Sequence, residues 1–199
     1  MTEGGSTDAF FERMYQDAGD DWDRIPWARL APRPSVVAWL DRVAPAPGSR
    51  ALVVACGYGD DAEELARRGC VVDAFDVSET AIAAARRRFP GSPVAYRTAD
   101  LFALPAAWRG RFDVVVEVQT VQSVPIPRHR EAIAAIAATV APGGRLFVRT
   151  AVRAEDEPAA SIPWPLTPSE LAWFEDEGLV LRHEDVEDVF VHRDYERPA

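Results

Sequence analysis

The tightest constraint on this chain lies between Arg50 and Asp76, where an apolar run, a double-glycine turn, a charged helical stretch and a second apolar run follow one another without a break. Leu52, Val53 and Val54 do not alternate with polar residues, which is the pattern of a strand buried on both faces of a parallel sheet. Gly57 and Gly59 come next. Lacking a Cβ, they let the backbone turn sharply and admit a ligand close to it. Asp60 or Asp61 is placed to cap the ensuing helix, Glu63 and Glu64 suit its positive N-terminal end, and Arg67 and Arg68 suit its last turn before Gly69. Val71 to Phe75 return as a second buried strand ending in Asp76. The unit is βαβ, with a carboxylate at the tip of its second strand.

That carboxylate stands about 17 residues beyond the glycine turn, where a ribose diol lies in a Rossmann-type site, and a carboxylate can accept hydrogen bonds from both hydroxyls. Adenosine-bearing ligands are therefore expected. The dinucleotide fingerprint needs a third glycine where this chain has Ala62, which argues against NAD and FAD and for a ligand with no pyrophosphate.

The rest of the chain extends the same alternation. Residues 1–6 are small and polar, a disordered lead, and from Thr7 the spacing of Phe10, Phe11, Met14 and Tyr15 predicts a short amphipathic helix. The proline-punctuated stretch around Trp22 and Trp27 cannot be a regular element and reads as a lid tucked down by its aromatics, whose flat faces also attract sulfonium or ammonium cations. Helices are predicted over 35–43, 78–89 (capped by Ser78) and 127–141, and strands over 94–98, 112–118 and 145–151. Residues 152–166 form a loop rich in proline and acids. Thr167-Pro168-Ser169-Glu170 then opens a helix with a capping box, and 179–186 and 189–195 read as an antiparallel hairpin. The fold class is α/β: a Rossmann-like, doubly wound, seven-stranded sheet with a C-terminal antiparallel hairpin. One domain is expected over 1–199, with a lid at 1–33 that the core does not need in order to fold, a cofactor-binding core at 34–151, and an acceptor-site loop, helix and hairpin at 152–199.

Composition excludes several partners. A net charge of −10 repels phosphate backbones, so no nucleic acid is expected. The basic run Arg86–Arg88 sits late on a predicted helix and reads as a solvated face. Two cysteines make neither a disulfide framework nor a metal site, and no apolar stretch is long enough to span a bilayer, so the expected setting is the cytoplasm, with no membrane and no metal. Lysine and asparagine are absent while arginine, alanine and proline abound, a bias typical of a GC-rich genome.

Four stretches together resemble the class I S-adenosylmethionine-dependent methyltransferases, nearest the thiopurine and thiol methyltransferase branch: Ala55-Cys56-Gly57-Tyr58-Gly59-Asp60, Asp76-Val77-Ser78, Asp100-Leu101-Phe102, and Phe112-Asp113 through Glu117 and Val118 with Ala141-Pro142-Gly143-Gly144. The resemblance covers nearly the whole chain. It implies S-adenosylmethionine as cofactor, with Ala55, Cys56, Gly57 and Gly59 at its methionine part, Asp76 on the ribose and Asp100 at the adenine amino group. It also implies Val77 and Leu101 on the adenine ring, Glu117 and Val118 beside the cofactor, and Trp22, within Asp21-Trp22-Asp23, closing over it. Most relatives carry an acid where this chain has Val53 and a glycine where it has Ala55.

Methyl transfer from a sulfonium is an in-line displacement, so no dedicated acid or base is obligatory and none is assigned. A thiol acceptor is already partly ionised at neutral pH, which makes a small sulfur compound the expected substrate, with oxygen or nitrogen acceptors, or a non-catalytic binding module, as alternatives. Glu117-Val118-Gln119-Thr120-Val121-Gln122-Ser123 lacks the Asn/Asp-Pro-Pro-Tyr/Phe signature of nucleobase methylation. Trp27, Gln119, Gln122 and Trp164 are the candidate acceptor contacts. His129, flanked by arginines, reads as a surface histidine, and Cys56 as structural.

Overall fold

The computed structural model describes the backbone of residues 3–199 and the side chains from Thr7 onward. The chain packs into two compact units that meet in sequence at Asp100 and Leu101.

The first unit opens with α1 (Glu3–Ala18), a 3₁₀ turn (Trp22–Arg24) and α2 (Pro34–Val43). The alternating part follows: β1 (Arg50–Val54), α3 (Asp60–Arg67), β2 (Val71–Asp76), α4 (Glu79–Arg88) and β3 (Ala95–Thr98). β1 pairs with β2 and β2 with β3, both parallel, so the carboxyl ends of the three strands share one edge. Ser78 caps α4 as its sequence position predicts, its hydroxyl accepting the Ala81 N–H at 3.0 Å.

Charged residues depart from the sequence reading. The cap position of α3 is Gly59, at φ +90°, and neither Asp60 nor Asp61 serves. Their carboxylates are engaged elsewhere: Asp61 accepts the Arg33 backbone N–H at 2.8 Å, and Asp60 holds Arg88 through two bonds of 2.6 and 2.7 Å. Arg88 is thus a half-buried ion-pair partner lying over the rings of Trp22, Tyr58 and Phe89, while Arg86 and Arg87 are exposed as the solvated-face reading has them. Arg86 donates to the Tyr96 carbonyl at 2.6 Å.

The N-terminal segment also differs. Met1 and Thr2 lie outside the described residues, but Glu3 to Ser6 belong to α1, so the expected disordered lead is helix from Glu3. Tyr15, Ala18 and Ile25 are buried with Tyr58, Ala81 and Ala84 in one apolar cluster, so this stretch packs on the unit. Glu12 fixes α1 to the start of α4, accepting the hydroxyls of Ser78 at 2.6 Å and Thr80 at 2.5 Å.

The second unit contains β4 (Phe112–Val118), α5 (His129–Ala137), β5 (Val140–Ala151), α6 (Pro168–Leu171), α7 (Trp173–Asp176), β6 (Val180–Glu187) and β7 (Phe190–Glu196), with 3₁₀ turns at Leu101–Ala103, Ala106–Trp108, Val121–Ser123 and Ile126–Arg128. β4 and β5 are parallel; β7 pairs antiparallel with β5 and with β6. The predicted helix over 127–141 stops at Ala137, because Val140 and Ala141 already belong to β5 and Pro142-Gly143-Gly144 makes a bulge against β4. Gly144 is obligatory there, since an added Cβ would fall 2.8 Å from the carbonyl oxygens of Phe112 and Ala141. The capping box at Thr167 and Glu170 is formed as predicted. The strand order is β3-β2-β1-β4-β5-β7-β6, the seven-stranded Rossmann-like sheet with a reversed C-terminal hairpin that the sequence predicts.

Candidate functional site

In the first unit the strand ends gather the predicted residues 55–59, 76–78 and 100 on one edge. Ala55, Gly57 and Gly59 all have left-handed backbones, with φ of +46°, +51° and +90°, so the chain reverses in three successive kinks. The turn is tied to its neighbour by the Cys56 N–H, which donates to Phe75 O at 2.8 Å, and the Ala99 N–H donates to Asp76 O at 3.0 Å. Ala55 and Asp100 are exposed and Cys56, Gly57 and Val77 half-buried, so this edge is open to a ligand.

Asp76 organises the edge. It is 5% exposed, and its oxygens accept the N–H groups of Gly57 and Ser78, both at 2.9 Å. The Val77 N–H also bonds this carboxyl, so of its roughly four acceptor sites three are taken by backbone N–H groups and one is left for a ribose hydroxyl. Burial pushes the Asp76 carboxyl up to about 6, against the opposing effect of the N–H groups of Ser78, Gly57 and Val77. Burial likewise pushes the Cys56 thiol up, helped by the charge of Asp76.

Aromatic side chains cover the turn. The Tyr15 hydroxyl comes within 3.1 Å of where a Cβ on Gly57 would sit, and the Trp27 indole N–H donates to that hydroxyl at 2.9 Å. Tyr15 meets Tyr58 and Trp27 edge-on, and Trp22 lies tilted over Tyr58. Trp22 Nε1 and the Tyr58 hydroxyl are buried without a hydrogen-bond partner. Tyr15 and Tyr96 are the site residues that sequence reasoning missed. The helical spacing that exposes Tyr15 as a core-facing residue says nothing of its reach to Gly57. Tyr96 fills the space over Gly59 so closely that a Cβ there would lie 2.3 Å from its hydroxyl.

In the second unit Glu117, one residue before the end of β4, is fully buried. Its Oε1 accepts the N–H groups of Thr120 at 2.5 Å and Val121 at 3.1 Å, while Oε2 has no partner, and burial pushes the carboxyl up to about 7. The side chain therefore shapes the turn after β4. Gln119 sits in that turn at φ +61° and its carbonyl accepts the Ser123 hydroxyl. Gln122 is 3% exposed, and its amide oxygen takes the Ala151 N–H at 2.6 Å and the Thr150 hydroxyl at 3.0 Å. The Trp164 N–H donates to Gln122 O at 2.7 Å, so these two acceptor candidates are brought together. His129 corrects the sequence reading: it is fully buried, with Nδ1 3.0 Å from Glu170 Oε1 and Nε2 3.0 Å from Val124 O. The arginines beside it turn outward to Glu131 and Asp176, which is why charge on either side of a helical position did not report its burial.

Residues 51–144 match a family model described as a methyltransferase domain. The ubiquinone biosynthesis O-methyltransferase of Azotobacter vinelandii is 37% identical over 119 residues, which are 59% of this chain and 50% of that protein. The chain thus spans about half the length of the curated relatives it matches. Among solved structures, one described as the conversion of a disulfide bond into a thioacetal group during echinomycin biosynthesis superposes with a TM-score of 0.78 at 22% identity, covering 96% of this chain and 92% of that one. The 1,6-didemethyltoxoflavin-N1-methyltransferase of Burkholderia thailandensis, bound to 1,6-didemethyltoxoflavin and S-adenosylhomocysteine, superposes with a TM-score of 0.77 at 17% identity, covering 100% of this chain and 92% of that one. The architecture these structures share with the chain is the Rossmann-like methyltransferase fold.

Proposed function

We propose that the chain binds S-adenosylmethionine and transfers its methyl group to a small molecule. The observation that carries this reading is Asp76, a buried carboxylate at the β2 tip that is bonded to the glycine turn and keeps acceptor capacity to spare. The turn and strand tips suit the cofactor's chemistry. Three left-handed kinks bring the backbone of residues 55–59 close to a ligand, with Ala55, Cys56, Gly57 and Gly59 at the methionine portion, Asp76 on the ribose hydroxyls, and Val77 and Asp100 at the adenine. Trp22 would close over them, with Trp27 toward the acceptor. For Leu101, Glu117 and Val118 the assignment rests on the family resemblance alone.

When bound, this cofactor supplies an electrophilic methyl on a cationic sulfur. The protein's own part is alignment and exclusion of water: Asp76 fixes the ribose, the kinked turn fixes the amino-acid end, and the aromatic cover of Tyr15, Trp22 and Trp27 keeps the site dry. These residues would hold the methyl–sulfur bond in line with the acceptor's lone pair.

A thiol is the acceptor class we favour, because it ionises without help and the candidate acceptor residues offer amides rather than a base: Gln122 is held by Ala151 and Thr150, and Gln119 is placed by its turn. An oxygen acceptor is the second reading, favoured by the O-methyltransferase relatives. Transfer of labelled methyl to a panel of thiols, phenols and amines tests both. Turnover of thiols is expected; labelling confined to phenols or amines would reject the sulfur assignment.

A further inference from the structure

His129 and Glu170 are both buried, and simple proton accounting fixes their state. The Val124 carbonyl can only accept, so His129 Nε2, at 3.0 Å, must carry a hydrogen. Nδ1 and the Glu170 Oε1 are also 3.0 Å apart, and a bare nitrogen and a carboxylate oxygen are both acceptors, so a proton lies between them. Two contacts favour the carboxylate form of Glu170: the Thr167 N–H donates to its Oε2 at 2.7 Å, and Arg153 Nη2 lies 3.5 Å away. The imidazole is then doubly protonated. The other charged groups near it, Arg128 with Glu131 and Arg130 with Asp176, form solvent-exposed pairs of their own.

The pair joins three pieces of chain. Val124 closes the turn after β4, His129 opens α5, and Glu170 belongs to the capping box that ends the segment 152–167. The same segment is held to the turn by the Trp164 N–H on Gln122 O, and internally by Arg153, which donates to Pro165 O at 2.9 Å and Glu157 O at 2.8 Å.

We infer that His129 and Glu170 are a positioning pair whose shared proton latches the segment 152–167 onto the turn 119–125. The latch sets the distance between Trp164 and the turn bearing Gln119 and Gln122, and its bearing on the acceptor rests on the methyl-transfer reading. Breaking a buried pair by removing one partner leaves the other uncompensated, so the segment should loosen when His129 is lost. Glu170→Gln should keep it shut, because the new amide oxygen can accept the Thr167 N–H while its NH2 donates to a neutral Nδ1.

Hydrogen exchange over residues 152–167, with nitrogen NMR of the His129 ring, tests this without cofactor or acceptor. The full chain should show two ring N–H groups on His129 at neutral pH and Glu170→Gln one, with segment exchange in Glu170→Gln within twofold of the parent. His129→Ala should exchange at least tenfold faster in the segment while β4 and β5 stay protected. A singly protonated ring in the parent, or equal segment exchange in His129→Ala and the parent, would overturn the inference. Should His129→Ala fail to fold, the ring protonation of the parent against Glu170→Gln decides alone.

Discussion

Ala55 shows how a sequence departure becomes a physical statement. The class I pattern has glycine at this position, and the structure gives the reason, because the backbone there is left-handed at φ +46° and a Cβ is penalised in that region. Ala55→Gly should therefore stabilise the fold by about 1 kcal/mol, a rise in melting temperature of roughly 2–4 °C for a chain of this size. An unchanged or lower melting temperature would show that the kink is not strained. Glu117 gives a prediction with a sign. Its carboxyl is raised from 4.5 to about 7 in the folded chain. A raised folded-state value means that the stability contributed is complete below the unfolded value and is lost as pH rises through the folded one. Ionising Glu117 in place thus costs at most about 3.5 kcal/mol by pH 8, given about 1.4 kcal/mol per unit. Glu117→Gln should melt higher than the parent at pH 8 and close to it at pH 5; an equal difference at both would reject the burial argument.

At the scale of elements, the sequence is most legible where apolar residues alternate with helical spacing and least legible where charge is buried. β1, β2 and β4 are recognisable because uninterrupted valines and leucines have no other place to go than a two-sided sheet, and the starts at Ser78 and Thr167 because their side chains satisfy helix N–H groups. Arg88, His129 and Glu64 look like solvent-facing charges in sequence, yet Arg88 is half-buried and the other two are buried, because a partner distant in the chain or a helical turn away takes up each side chain. The segment from Tyr15 to Ile25 is hard to read for a related reason. A helix with a few aromatics and a proline-rich tail reads as an appendage, yet Tyr15 and Ile25 are 3% and 1% exposed and pack on Tyr58, Ala81 and Ala84. A truncation lacking 1–33 should lose stability by several kcal/mol, since a fully buried large side chain contributes about 1.5–3 kcal/mol. Circular dichroism of the truncated chain checks it; a melting temperature equal to that of the full chain would return these residues to the status of a cover.

For the whole molecule, the seven-stranded order with its reversed hairpin and the edge formed by Ala55 to Gly59 with Asp76 were both readable from the glycine turn outward, whereas the aromatic cover by Tyr15 and the His129 latch depend on packing that no local pattern encodes. No helix among the described residues is long and apolar enough to cross a membrane. If the edge binds the cofactor, ligand should stabilise the fold by mass action: at a hundredfold excess over the dissociation constant the gain is about 2.7 kcal/mol, or roughly 5–11 °C in melting temperature. The most direct test is calorimetric titration of S-adenosylhomocysteine into the parent chain and into Asp76→Ala, with folding of both checked by circular dichroism. A hydrogen bond to a charged group contributes about 1.5–3 kcal/mol and each 1.4 kcal/mol is tenfold in affinity, so loss of the carboxylate should weaken binding at least tenfold. Absence of binding heat in the parent, or equal affinity in the two chains, would contradict the assignment of this edge as the cofactor site.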